Sequence, residues 1–496
     1  MPNEDNPGFR EALLYDFWIK SDFSKEVVTY TGEKIEIINS GEMNGNEAGP
    51  DFRNARIKIG NIVYVGDVEI DPEYRDWKYH GHSRNKRFNK VILHSYFVDG
   101  SNHSDYVYTE NGRKIPSIPF CNLVRNMSPE IIKSFPQNHV HDETDHLVCK
   151  WVTNHPDPKI KLDFLYQLGM QKFKRKCERM IERIRELLYM SETGLKEPFH
   201  KYEIPKEFFD RQFTYQEISN KTIWEQLLYE SVFEALGYPQ NKFPMLKLAQ
   251  LANLNFFRKL NNKPERLLNF ESALLNISGI LGKEIDTTTD DSYIRKIHEC
   301  WESIRLEYDS NTLNEHEWHF FKMRPQNFPT LRLAGGARLI DSILNKDLIP
   351  VMVKKFTEIH TGSVLVQSVK NCFIIRADGF WEKHYTFQKP AKGDIKMFVG
   401  INRAEEILLN VVLPFMYVYF LLFNQTDLAK KTLAVFSEAT LKLENSIVRD
   451  VAQGLKLENS YERSVIYLGM LELFRNYCSR EKCGECVIGE SVFKEN

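Results

Sequence analysis

The chain has 496 residues, of which 42% are hydrophobic, 27% charged and 12% aromatic, with a formal net charge of −2. This length supplies two or three domains with cores of their own, and the composition excludes long disordered spans. The near-neutral balance excludes a whole-chain attraction to nucleic acid, so any phosphate-binding face has to be local.

In chain order, the acidic N-terminus "MPNEDNPGFREALLYDFW" lacks the basic and apolar regions of a signal peptide. With eight cysteines and no such peptide, reduced thiols or a metal site are expected rather than disulfides, in a cytoplasmic protein. Residues 9–20 carry apolar side chains at helical spacing. "KIEIINSG" reads as a strand, and "DFRNARIKIGNIVYVGDVEI" as two strands joined at Gly60-Asn61, a tight-turn pair. "DPEYRDWKYHGHSRNKRFN" predicts a helix with Pro72 in its first turn. "KVILHSYFV" predicts a buried strand, and "RKIPSIPF" one more.

After the connector "NHVHDETDHLVCKW" (138–151) strand signals become sparse. Helices are expected over 161–190, 221–238, 243–260 and 290–345. Beyond "GFWEKHYTFQKP" they return at 403–424, 426–442 and 460–478. The run "ILLNVVLPFMYVYFLLF" (407–423) is short for a membrane span and reads as a buried helix bent near Pro414, so no membrane partner is expected. The expected fold class is α+β. A mixed-sheet domain would occupy 1–150, followed by helical domains over 151–345 and 346–496, the last ending in a cysteine cluster.

Side chains alternate along a strand, so Asp67, Glu69 and Asp71 share one face, with Val63 and Val65 behind them. A hairpin at Gly60-Asn61 brings Asp51 back beside them. Carboxylates packed together are costly, and a divalent cation such as Mg²⁺ or Mn²⁺ compensates them. That ion would activate a water towards a phosphodiester. The competing reading puts these acids on the solvent face of an edge strand.

His80 and His82 flank a glycine just beyond, and either would transfer protons near neutrality, against an ordinary surface role. His94, inside "KVILHSYF", reads as a hydrogen-bonded core histidine. Arg53, Arg56, Lys58, Arg84, Lys86, Arg87 and Lys90 bracket the acids and offer contacts to the phosphates of DNA or RNA, although charged faces are common in any protein. "KFKRKCERMIERIREL" (172–187) reads as a solvated, ion-paired helix face rather than a nucleic-acid arm. "AGGARL" (334–339) lacks the Lys-Ser/Thr of a phosphate loop. Near the end, "YCSREKCGECVIG" spaces Cys478, Cys483 and Cys486 as thiolate ligands for zinc or an iron–sulfur cluster, with Cys149, Cys121 or a histidine as fourth ligand.

A helix acid, a Pro-Asp before one strand, an acid at the end of the next, then helix and strand resemble the PD-(D/E)XK nuclease core. The resemblance implies a restriction-endonuclease-like αβββαβ domain in which Glu11 is the helix acid, Asp51 the motif Asp and Glu69 the (D/E). Asp71 then stands where that motif has Lys. Alternatively, Asp67 and Glu69 form its acid-x-acid variant; on either alignment the Lys that would position the attacking water is absent.

"EALLYDFW", "GPDFRNARIKI", "GDVEI", "DWKYHGH", "VILH", "RPQNFPTLRLA", "FWEKHYTF", "ILLNVVLPFMY" and "YCSREKCGECVIG" together resemble one uncharacterised bacterial family, domain of unknown function 2851. That resemblance implies a shared architecture and supplies no activity. Its usual strand ending, Asn-Val-Glu-Ile-His, is Asp-Val-Glu-Ile-Asp here, and its usual Asp after "HGH" is Asn85. Two functions are therefore expected to compete. One is a nuclease in which Asp51 and Glu69 bind Mg²⁺ or Mn²⁺, Glu11 and Asp67 or Asp71 assist, and His80 or His82 handles protons. The other is a catalytically inactive nucleic-acid-binding or scaffold protein with a structural metal at its C-terminal cysteines.

Overall fold

The computed structural model describes residues 15, 18–19, 23, 27–29, 31–44, 49–79, 82–98, 104–123, 147, 149, 156–195, 204–281, 292–320, 323–440, 445–457, 462–480 and 482–493. The fold is α+β and 63% helical. Two compact units divide it, Met1–Glu143 and Thr144–Asn496.

The first unit is built on a mixed sheet. Its strands are β1 (Ile35–Asn39), β2 (Glu42–Met43), β3 (Phe52–Ile59), β4 (Ile62–Glu73), β5 (Val91–Val98), β6 (Tyr106–Tyr108) and β7 (Lys114–Pro119). They lie in the order β1-β3-β4-β5-β7-β6, with β2 beside β3. β3 runs antiparallel to both β1 and β4, whereas β4–β5 and β5–β7 are parallel. The β3–β4 turn closes at Ile59 opposite Ile62, and Gly60 takes the left-handed backbone (φ +61°) that the pattern predicted.

Alternation along β4 sends Val68 and Ile70 into a core with Trp18, Phe52, Ile57, Leu93 and Phe120. A smaller cluster of Trp77, Phe88, Val91, Val107 and Ile115 packs separately. Asp67, Glu69 and Asp71 lie on the face of β4 opposite Val68 and Ile70, and are only 8%, 5% and 2% exposed. The edge-strand reading of these acids is thus overturned: β4 lies between β3 and β5. Val63 and Val65, on the same face, are 49% and 63% exposed, because β5 begins only opposite Asp67. Gly66 permits that junction, since a Cβ there would meet Ile92 Cγ2 and the Lys90 carbonyl at 2.5 Å.

The helix expected to start at Pro72 does not form there. β4 continues through Glu73 alongside β5, and the helical turn is only Asp76–Tyr79. The pairing of β3 with β4 stops at Val68, so the missing Pro72 amide costs no ladder bond on that side. Short 3₁₀ turns at His82–Arg84 and Lys86–Lys90 carry the chain on to β5. Of the helix predicted over 9–20, Tyr15, Trp18 and Ile19 are described and are helical.

In the second unit α1 (Pro158–Thr193) runs from an Asp157 cap, whose side chain accepts the Lys159 amide, to a left-handed Gly194. The expected boundary at 345–346 falls inside this one unit. The helix predicted over 243–260 is two, Tyr238–Leu251 and Leu254–Leu260, because Asn253 caps the second through the Phe256 amide. Among its described residues the region 290–345 likewise has two α-helices, Ser292–Ile304 and Pro329–Asn345. α1 crosses the late helix Ser464–Asn476 through two glycines. A Cβ on Gly169 would lie 2.1 Å from the Val465 carbonyl, and one on Gly469 2.0 Å from that of Leu165.

The helix Ile401–Leu422 is long and apolar enough to cross a membrane by length and composition, and 67% of its most apolar window is buried. Just before Pro414 it takes a π-helical turn over Leu408–Val412. Pro414 has no amide to offer the Asn410 carbonyl, and Lys176 Nζ donates to it instead, at 2.9 Å.

Candidate metal centre

Asp51 stands one residue before β3 and meets the end of β4. Its carboxylate accepts the Ile70 amide (2.9 Å) and the Tyr15 hydroxyl, while its own amide donates to Glu69 Oε2 (3.0 Å). Asp67 accepts the Asn54 amide at 3.3 Å, within a register shift of β3 where Asn54 is left-handed (φ +56°).

Beyond these, the carboxylate oxygens of Glu69 and Asp71 and a ring nitrogen of His82 all lie within 4.8 Å of one another. His82 Nε2 is 3.1 Å from Glu69 Oε1 and 3.7 Å from Asp71 Oδ1. The imidazole is held by stacking on Phe88 (centroids 4.0 Å apart) and by the edge of Trp77. On the far side His94 Nε2 lies 3.2 Å from Asp71 Oδ2, and its Nδ1 bonds to Ser117 Oγ at 2.7 Å. His94 is thus a hydrogen-bonded core histidine, as expected, but one that holds an acid of the cluster.

Burial raises the Asp51 carboxyl well above its ordinary range, and the negative charge of Glu69 raises it further. Such a group is a poor metal ligand until it loses its proton.

Glu11 and His80 lie outside the described residues, and of Arg84 only the backbone is described. Glu69, Asp71 and His82 are brought together; Asp51 adjoins them through Glu69, and Asp67 is engaged by β3. Arg56 pairs opposite Val65 and Lys58 opposite Val63, which puts both cations on the acids' face, towards the hairpin tip. Lys86 and Arg87 are exposed, and Arg53 is half-buried.

Sequence reading missed Tyr15, which sits in "EALLYDFW" four residues after Glu11, a helical spacing that could have flagged it. It also missed a cleft in the second unit. The charged face of α1 does carry internal pairs, Lys174–Glu178 and Arg183–Glu186. Lys172, however, pairs with Glu472 and Arg183 with Glu230, on other helices. With Lys176, Arg324, Arg332 and Arg403 they line a wide concavity, while Lys174, Arg175, Glu178, Arg179 and Glu182 keep the solvated face expected of this helix. Cys478, Cys483 and Cys486 meet Cys149 around a separate cavity; the Cys121 side chain lies outside the described residues.

A family model described as protein of unknown function (DUF2851) matches residues 11–199 and 212–445. The acids, His82 and His94 fall within the match, whereas "YCSREKCGECVIG" lies beyond it. No curated protein and no solved structure matches the chain.

Proposed function

This chain belongs to the DUF2851 family, and we propose that its sheet unit is a metal-dependent nuclease. The observation that carries the proposal is the convergence of Glu69, Asp71 and His82 donor atoms within 4.8 Å. Two buried carboxylates this close repel one another unless a proton or cation stands between them. Carboxylates with water are the set that suits Mg²⁺ or Mn²⁺. Such an ion supplies an acidified water and charge stabilisation at a phosphodiester.

Glu69 and Asp71 would hold the ion, oriented by the Asp51 amide and by His94. His82, packed against Phe88 and beside both carboxylates, would take the proton of the attacking water. It supplies the basic group for which the Asp71 position offers none, and it comes from the segment after β4 rather than from the strand. Arg56 and Lys58 on the same face would contact the nucleic-acid backbone. The strand order and the acid positions agree with the PD-(D/E)XK resemblance, which is part of this proposal.

A second reading is favoured by the hydrogen bonds already formed. Asp51, Asp67 and Asp71 each hold backbone or histidine groups, as they would in an acid–histidine network that pins the sheet of a catalytically inactive binding protein. Labelled single- and double-stranded DNA and RNA, incubated with and without Mn²⁺, separate the two. Mn²⁺-dependent cleavage by the wild type and its loss in Glu69→Gln supports the nuclease. No cleavage of any substrate, or equal cleavage by both proteins, supports the network.

A further inference from the structure

The second unit contains a site independent of the acids. Cys149 lies just before α1, and Cys478, Cys483 and Cys486 lie after the helix Ser464–Asn476. The reciprocal glycine crossing of those two helices brings these distant segments together. All four cysteines line one cavity, partly open to solvent. The rest of its wall is largely aliphatic, from Leu147, Val451, Leu455, Leu473 and Ile488. The four thiols are free, not joined as disulfides.

Local backbone supports a ligand set. Cys483 opens a 3₁₀ turn (Cys483–Glu485), and the Cys486 amide returns to the Cys483 carbonyl at 3.3 Å. Burial raises the Cys486 thiol, and the amides of Gly489 and Ile488, directed at its sulfur, offset part of that rise. Gly489 has no room for a side chain, because a Cβ would lie 2.1 Å from the Cys483 carbonyl. Behind the wall, buried Lys161 donates to the Leu455 carbonyl at 2.7 Å and places a positive charge in the neighbourhood of Cys149.

The spacing of the sulfurs selects among metals. Thiolates about 2.3 Å from one zinc ion lie roughly 3.8 Å from each other at tetrahedral angles. Among the described residues no three of these sulfurs fall within 4.8 Å of one another. Yet every pair among the four is close enough to interact electrostatically. Ligands set around a space, rather than gathered at a point, suit a core of several metal atoms.

From the four cysteines around this cavity we propose that Cys149, Cys478, Cys483 and Cys486 bind a polynuclear iron–sulfur cluster. Cys149 is the fourth ligand, and the cluster ties the start of the helical unit to its end. Four thiolates around such a core make a net negative group, which Lys161 offsets.

Full-length protein, purified without oxygen and reconstituted with ferrous iron and sulfide, provides the test. The expected result is iron and acid-labile sulfide in equal amounts, about two or about four of each per chain, with the visible absorption of iron–sulfur charge transfer. Cys149→Ala should lose at least half of the iron, and Cys372→Ala, a cysteine outside the cavity, should retain it. Far-UV circular dichroism of both variants shows whether the loss is local. One zinc per chain without sulfide, no bound metal, or full iron in Cys149→Ala would each overturn the proposal. The wild-type stoichiometry decides the matter even if Cys149→Ala fails to fold.

Discussion

Asp51 and Glu69 hold each other across the β3–β4 pair. The Asp51 amide donates to Glu69 Oε2 at 3.0 Å, and the amide of Ile70, next to Glu69, donates back to Asp51 Oδ2 at 2.9 Å. This clamp fixes the rotamer of an acid that would otherwise swing away from Asp71, and it puts a second carboxyl beside the cluster in an environment that favours its protonated form.

The Asp51 carboxyl is raised by burial and then by Glu69, which sets the sign of its pH dependence. A raised acid contributes stability below its unfolded value of 3.8 and loses it as pH rises through the folded value. Asp51→Asn cannot ionise. Its melting temperature should therefore gain on that of the wild type between pH 4 and pH 8, measured by circular dichroism in metal-free buffer. A constant difference across that range would show that the Asp51 carboxyl is not raised in the folded protein.

Lys176, held at the Asn410 carbonyl that Pro414 leaves without an amide, is pushed down from 10.5 to about 7 by burial and then by Lys172 and Lys242. A lysine with a lowered folded value destabilises while charged, so stability should rise with pH from about 7 to about 10. The slope cannot exceed about 1.4 kcal/mol per pH unit for one group. Denaturant titrations of Lys176→Met should lack that rise; an identical slope in the two proteins would contradict the assignment.

The crossing of α1 with Ser464–Asn476 is backbone on backbone. Gly469→Ala should cost about 2–3 kcal/mol in denaturant unfolding, since the Leu165 carbonyl cannot yield as a flexible side chain would. Gly484→Ala, where a Cβ meets nothing within 4 Å, should cost far less.

Much of the sheet was legible in the sequence because period-two alternation and the Gly60-Asn61 turn are local signals, as in β3 and β4. The same alternation placed Asp67, Glu69 and Asp71 on one face. Whether that face is buried is not local information: it depends on β5 adding beside β4, and "VILHSYFV" alone does not state its neighbour. The extension of β4 through Pro72 was illegible for a related reason, since proline reads as a helix start until the neighbouring strand is known to stop at Val68.

At the site, His82 was identifiable as a candidate, but its approach to both acids follows from two irregular turns whose geometry no periodicity encodes. The solvated, ion-paired face of α1 was legible, but not its inter-helix partners, because ion pairs at helical spacing look the same whether the opposite wall is water or Glu230 and Glu472. Cys149 could be named as a fourth thiol, yet its partners lie more than three hundred residues away and only the helix crossing unites them.

The central claim is that Glu69 and Asp71, with His82 beside them, form one divalent-cation site. Calorimetric titration of Mn²⁺ into the wild type and into Asp71→Asn tests it most directly. The account predicts one ion bound per chain at a site that Asp71→Asn weakens at least tenfold, with affinity increasing as pH rises and the neighbouring Asp51 carboxyl, raised by burial, loses its proton. No binding by the wild type, or equal affinity in the two proteins, would contradict it.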